Sequence, residues 1–282
     1  MIIFPVWRLH MQGRFEGLTE VQLGLIEPLI PPSRKGPGRP EAPFPKVLNT
    51  ILWVLINGAK WCSVPKGQQW SPKSTAHDRL GRWQEDGTWA EIRSRLCGIA
   101  ELSGLIDWNR ATADGMFVPG KGGGEDADYG YKGKGLTVHA LVDGNGMPLS
   151  VISTGASGSE REQVEVLLDA VDIQTGRIGR PKKRPRALQT DKGYDSRQLR
   201  NRLRRRGISP MVPRRSWPKR KQPVGRPPSK PVDRWKAERT FAWLQRKFRR
   251  LTVRWERKNK YWQGFLCLGL CILWIERILS SL

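Results

Sequence analysis

Residues 135–154 read GLTVHALVDGNGMPLSVIST, and they decide the fold. Two β-branched, apolar runs, 135–143 and 147–154, flank Gly144-Asn145-Gly146. Strand-forming runs joined by a short Gly-Asn-Gly link predict an antiparallel hairpin. Upstream, RATADGMFV (110–118) reads as another strand, separated from the hairpin by a Gly-rich, loop-like stretch over 119–134. Downstream, the pattern changes period. Ser159-x-x-Glu162 reads as a capping box before a helix carrying Val164, Leu167, Leu168 and Val171. ALQTD (187–191) is a short buried strand, Asp195-x-x-Gln198 caps a basic helix ending at Gly207, and 208–213 is a last strand. Residues 214–231 form a Pro- and Arg-rich basic loop, and a long helix starts near Asp233.

Ahead of this core the periodicity is helical. Residues 18–30 carry a Thr19-x-x-Gln22 capping box and stop at Pro31-Pro32; 46–57 place Val47, Leu48, Ile51, Leu52 and Leu55 on one face and stop at Asn57-Gly58. A third helix begins near Ser74-Thr75 and presents His77, Arg79 and Arg82; a fourth spans 88–105. The class is therefore α/β. An all-α region, 1–105, precedes a mixed sheet with helices on its faces, 106–282, in an order that resembles a ribonuclease H-like core. The helices at 46–57 and 74–84 are spaced as a helix-turn-helix, with Arg79 and Arg82 towards a groove; ordinary three-helix packing accounts for the same apolar residues.

Charge narrows the partner. The chain of 282 residues has a net charge of +24, yet residues 180–260 hold 30 Lys and Arg against 5 Asp and Glu, so one segment carries the excess. Trp217, Trp235, Trp243 and Trp255 are interleaved with it, a pattern for a nucleic acid partner rather than a merely solvated face. The cysteines at 62, 97, 267 and 271 make no CxxC pair and no zinc spacing with His10, His77 or His139, which fits a reducing cytoplasm. Phe265–Ile275 falls short of the roughly 20 residues a bilayer requires, so it reads as a buried helix and no membrane partner is expected. Met11 is an alternative start to Met1.

Three acids stand where chemistry is built. Asp114 lies inside an apolar strand, at a cost to stability unless it is paired, hydrated or metal-bound. Asp191 ends a strand, where ligands collect in open sheets. Glu238 lies one residue off the apolar stripe Ala237, Phe241, Leu244, Phe248, Leu251. Each has a plain structural alternative: a turn with Gly115, a bond to the Lys192-Gly193 turn, or a pair with Arg234 or Arg239. Together they supply the hard oxygen ligands that Mg²⁺ or Mn²⁺ takes, enough for two ions about 4 Å apart. The expectation is that all three converge on one pocket.

The chain resembles the DDE transposases of bacterial insertion sequences, in the group numbered five of the superfamily numbered four. The resemblance runs from about Leu18 onward. It is carried by LTEVQLGLIEPLIPP, KWCSVPKGQQW and STAHDRLGRWQEDGTW, then by KGLTVHALVDGNGMPLSVISTGASGSEREQVEVLLDAV, LQTDKGYDS and AERTFAWLQRKFRRLTVRWER. It implies Asp114, Asp191 and Glu238 as catalytic metal ligands, hydrolysis at element ends, and attack of the freed 3′-OH on target DNA. It also implies double-stranded terminal repeats and target DNA as partners, and a homodimer or higher oligomer on them. The signature around the Glu is incomplete: Arg234 and Glu238 match, but Pro231 stands at the Tyr position and Gln245 at the Lys position, with Arg246 or Lys247 as substitute phosphate contacts. The block around Asp114 is also looser, with Asp107 as the poorer alternative.

Other features have two readings. His139 reads as a satisfied strand histidine and Asp143 as part of the hairpin turn. Lys192 and Tyr194 flank Asp191 and either touch DNA or pack under the sheet. The Gly-Arg-Pro triplets at 38–40, 179–181 and 225–227 are similar to minor-groove hooks but suit basic loops on the DNA backbone. Two rival classes remain: a non-catalytic DNA-binding protein that keeps the fold, and a nuclease or resolvase that cuts without joining.

Overall fold

A computed structural model describes residues 15, 18, 20–30, 41–179, 181–214 and 235–281. Met1, Met11, the Thr19 cap, Arg234, Pro231 and all but the first residue of the 214–231 loop lie outside the described residues.

The N-terminal elements are α1 (Glu20–Ile26), α2 (Phe44–Asn57), α3 (Lys73–Glu85) and α4 (Thr88–Leu102). Gly58 ends α2 in the left-handed conformation, φ 64°, as the Asn-Gly stop predicts. Six strands follow: β1 (Arg110–Pro119), β2 (Asp128–Gly130), β3 (Gly133–Asp143), β4 (Pro148–Gly155), β5 (Ala187–Gln189) and β6 (Ser209–Met211). α5 (Gln163–Asp169) and α6 (Arg197–Arg205) interrupt them, and α7 (Trp235–Lys247) and α8 (Asn259–Leu279) close the chain.

β1 is central. It pairs antiparallel with β3 and parallel with β5; β5 pairs parallel with β6; β4 and the short β2 divide the outer edge of β3. Three antiparallel strands, then two parallel ones added on the far side of the first, make a ribonuclease H-like sheet. The hairpin turn is built by Asp143, whose Oδ1 accepts from Asn145 N at 2.9 Å and Met147 N at 2.7 Å while Oδ2 accepts from Asp107 N at 2.9 Å. Gly146, at φ 81°, supplies the left-handed step.

Successive strand residues face opposite ways. Ser150 Oγ donates to Leu167 O, putting α5 on one face; Gln263 of α8 donates to Ser153 Oγ, putting α8 on the other. α8 is apolar enough, over 21 residues, to cross a membrane by length and composition, but 67% of its most apolar window is buried. Trp262, Phe265 and Trp274 are fully covered there, and the helix packs on α3 and α4 as well as the sheet. One continuous hydrophobic core thus spans the boundary expected near residue 105.

Three local expectations are corrected. Residues 159–162 form a turn, Glu162 N to Ser159 O, and α5 starts later without a side-chain cap. Ser196, not Asp195, caps α6, because Asp195 is held by Arg200 at 2.7 Å. The stretch 119–134 is also more than a loop: it contains β2 and packs backbone to backbone on residues 254–257. There Gly122 N donates to Arg254 O and Glu125 N to Arg257 O, and a Cβ on Gly122 would stand 2.2 Å from Trp255 O.

Candidate active site

The sheet brings two of the three acids together. β1 and β5 run in register, Arg110 opposite Ala187 and Thr112 opposite Gln189. Continuing that register sets Asp191 across from Asp114. Both are half-buried, and both act electrostatically on the buried Tyr194 hydroxyl. Each bonds its own backbone as the plain alternatives expect: Asp114 Oδ1 accepts from Gly115 N at 2.9 Å, and Asp191 Oδ1 accepts from Lys192 N.

A fourth acid, Glu160, joins this neighbourhood. Its carboxylate acts on the Tyr194 hydroxyl, and its Oε1 would stand 3.2 Å from a Cβ on Gly115. Burial, first, and the charges of Glu160, Asp114 and Asp191 raise the Tyr194 pKa, so the phenol stays protonated as a donor. Tyr194 does pack under the loop, at 3% exposure, while Lys192 is exposed beside Asp191. Nothing in the local pattern singles out Glu160; it stands in a polar stretch before a helix.

Glu238 sits apart. α7 lies against β1 and β3, with Ala237, Thr240, Phe241 and Leu244 inward and Glu238 exposed. Its first turn is pinned to the hairpin: Lys236 Nζ donates to Gly144 O, Arg239 Nη2 to Asn145 O and Thr240 Oγ1 to Gly146 O. Arg239 is sandwiched between Trp235 and Trp243, 4.7 and 4.6 Å from the ring centres, rather than serving mainly as a partner for Glu238. Among the described residues, no group of three His, Cys, Asp or Glu side chains is assembled to hold a metal ion.

The basic candidates divide similarly. Arg79 and Arg82 both reach Glu41 Oε1, at 2.6 and 2.9 Å, and the Arg79 side chain is only 12% exposed. Arg79 therefore faces the segment before α2 rather than an open groove, while Arg82 is 40% exposed. Lys247 is engaged by Glu276; Arg246 beside it is exposed. Asp107 hydrogen-bonds Asn109 and abuts Gly144 at the hairpin, which makes it a turn residue. His139 is buried, with Nε2 2.8 Å from Thr154 Oγ1, as a strand histidine.

Residues 18–93 match a family described as putative transposase of IS4/5 family, and residues 110–274 match the transposase DDE domain. The chain is 42% identical over 135 residues to a putative transposase for insertion sequence element IS402 of Burkholderia cepacia, across 48% of this chain and 60% of that protein. It is 32% identical over 105 residues to an IS402 uncharacterized 16.2 kDa protein of the same organism, across 36% of this chain and 71% of that one. The chain thus spans 60% of the first relative's length. The Mos1 strand transfer complex covers 88% of this chain and 81% of its own at 12% identity, with a TM-score of 0.32. The strand order, not that superposition, defines the fold.

Proposed function

The chain belongs to the DDE transposase family, and on that premise we propose that it is a DNA transposase. It cleaves the ends of an insertion element and joins the freed 3′-OH to target DNA. The observation that carries this reading is the parallel register of β1 with β5, which directs Asp114 on β1 and Asp191, two residues past the end of β5, to the same end of the two central strands. In the first step a water oxygen adds to phosphorus at the element end and the bond to the 3′ oxygen breaks. That oxygen leaves with a proton as the 3′-OH, and the phosphate stays on the flanking strand. In the second step the 3′-OH adds to a target phosphorus and expels a target 3′ oxygen in the same in-line manner.

We assign Asp114, Asp191 and Glu238 as the catalytic acids. Hard carboxylate oxygen donors suit a small divalent ion. Mg²⁺ or Mn²⁺ held there would supply Lewis-acid charge to the phosphoryl oxygens. Lys192, exposed next to Asp191, is placed to meet a backbone phosphate, and exposed Arg246 on the last turn of α7 offers a second contact. Asp191 caps the 192–194 turn by accepting from Lys192 N, and buried Tyr194 packs that turn close to Glu160. The partner is double-stranded DNA, and the basic excess of residues 180–260 supplies affinity without sequence choice.

The deciding experiment is a gel assay with the element's terminal-repeat DNA, with and without Mg²⁺. Nicked ends and strand-transfer products should both require the ion. Cleavage without joining would move the assignment to a nuclease, and binding without cleavage to a DNA-binding protein.

A further inference from the structure

A recess of about 460 Å³ opens between the N-terminal helices and residues 250–261. That volume falls within the roughly 300–1,000 Å³ of small-ligand sites. Its wall is aromatic. His77 of α3 stacks on Tyr261 of α8 with ring centres 3.9 Å apart, and Trp61 stands edge-on to His77 at 5.2 Å. Trp255 completes the lining and is 51% exposed. Burial lowers the His77 pKa, so the imidazole is neutral and contributes a ring face rather than a charge.

The rim is cationic. Arg257 and Lys258 line the recess and are exposed. Glu256 is the one carboxylate in the lining, and Arg250 holds it at 2.7 Å, with the Glu256 side chain 4% exposed. The ligand therefore meets flat π faces inside and the Arg257 and Lys258 cations at the rim, while Glu125 and Asp126 beside them are engaged with Asn259. That combination excludes a purely apolar ligand and a cationic one. It matches a nucleotide, whose base stacks and whose phosphates seek cations.

Trp255 is presented from a fixed base. Arg254 N donates to Pro119 O at 2.9 Å and Gly122 N to Arg254 O at 3.2 Å, and the Gly122 backbone lies against Trp255 O. A ring held this way loses little freedom when something stacks on it. The recess also joins the two matched regions, since Trp61 and His77 belong to one and Trp255 and Tyr261 to the other.

We propose that this recess receives one unpaired nucleotide of bound DNA, with its base against Trp255 and Tyr261 and its flanking phosphates on Arg257 and Lys258. The proposal rests on the reading of the protein as a DNA-binding enzyme. It is tested with the full chain and three duplexes at one salt concentration: fully paired, with a single bulged thymidine, and with an abasic analogue at the bulge. The thymidine bulge should bind about tenfold tighter than the abasic bulge, as expected for one stacked base. Trp255→Ala should erase that difference while leaving paired-duplex affinity and the melting temperature near wild type, and Trp255→Phe should restore most of it. Equal binding of the two bulges by the wild type, or discrimination surviving in Trp255→Ala, would overturn the recess and leave DNA binding standing. Loss of all duplex binding by the wild type would overturn both.

Discussion

The Glu160 carboxylate, beside Gly115 in the loop before α5, lies close enough to the buried Tyr194 hydroxyl, in the turn after β5, to help raise its pKa. Partners that orient a metal-holding carboxylate commonly change metal affinity or activity by about 10–100-fold when removed. Tyr194→Phe and Glu160→Gln should each raise the Mg²⁺ concentration needed for half-maximal cleavage by about that factor. DNA affinity without metal should not change. An unchanged Mg²⁺ requirement in both variants would make the contact a loop fastener only.

Asp114→Asn, Asp191→Asn and Glu238→Gln should each abolish cleavage and joining while leaving DNA binding largely intact, because charge stabilisation of the displaced oxygens is lost. Chelation of divalent ions should reproduce the same phenotype in the wild type. Near wild-type cleavage by any one variant removes that residue from the assignment, and Glu238, exposed on α7, is the most informative of the three.

Burial lowers the His139 imidazole to about 4 and raises the Asp143 carboxyl to about 6, with opposite consequences. The unfolded chain takes up the His139 proton first, so that contribution is complete above about pH 6.5 and drains away as pH falls towards 4. For Asp143 the contribution is complete below about pH 3.8 and is lost as pH rises through 6. His139→Leu should remove an acid-side loss on the order of 2–3 kcal/mol. Melting curves of both proteins between pH 7 and pH 4 measure it.

DNA affinity should fall steeply with salt, because each phosphate neutralised adds roughly −0.9 to the slope of log K against log salt. With about six to ten contacts, the loss between 50 and 200 mM salt is on the order of a thousandfold or more. A slope near zero in titrations of a random duplex would remove residues 180–260 as the affinity element.

Gly122→Ala should destabilise the protein by about 1–3 kcal/mol, because a Cβ there meets the rigid backbone of Trp255 rather than a side chain that can turn away. Gly133→Ala is the control. Unlike Gly122 it has a positive φ, 106°, and it has no neighbour within 4 Å, so it carries the backbone cost alone and Gly122 the steric cost alone. Chemical denaturation of the two variants separates them.

The hairpin was legible because every determinant is local: the Gly-Asn-Gly link, the flanking β-branched runs, and an aspartate able to cap the turn. The central pairing of β1 with β5 followed from strand order. The glycines of 119–134 looked like loop because their reason is distant, namely the backbone of 254–257 lying against them. Arg79 and Arg82 share a helix face, as the spacing predicts, but Glu41 claims both from a segment with no periodic pattern. Glu160 was invisible for the same reason. Its partner is on another loop, and a glutamate before a helix is ordinary.

α8 has a further consequence for how the molecule is made. α8 packs on α3 and α4, so the apolar faces of those earlier helices wait for a segment more than 150 residues later in the chain before they are covered. A message broken anywhere before residue 259 yields a product that lacks α8 and leaves apolar faces of α3 and α4 uncovered. Damaged copies of the gene would therefore be removed as unfolded protein. They would not persist as DNA-binding fragments that compete with intact enzyme.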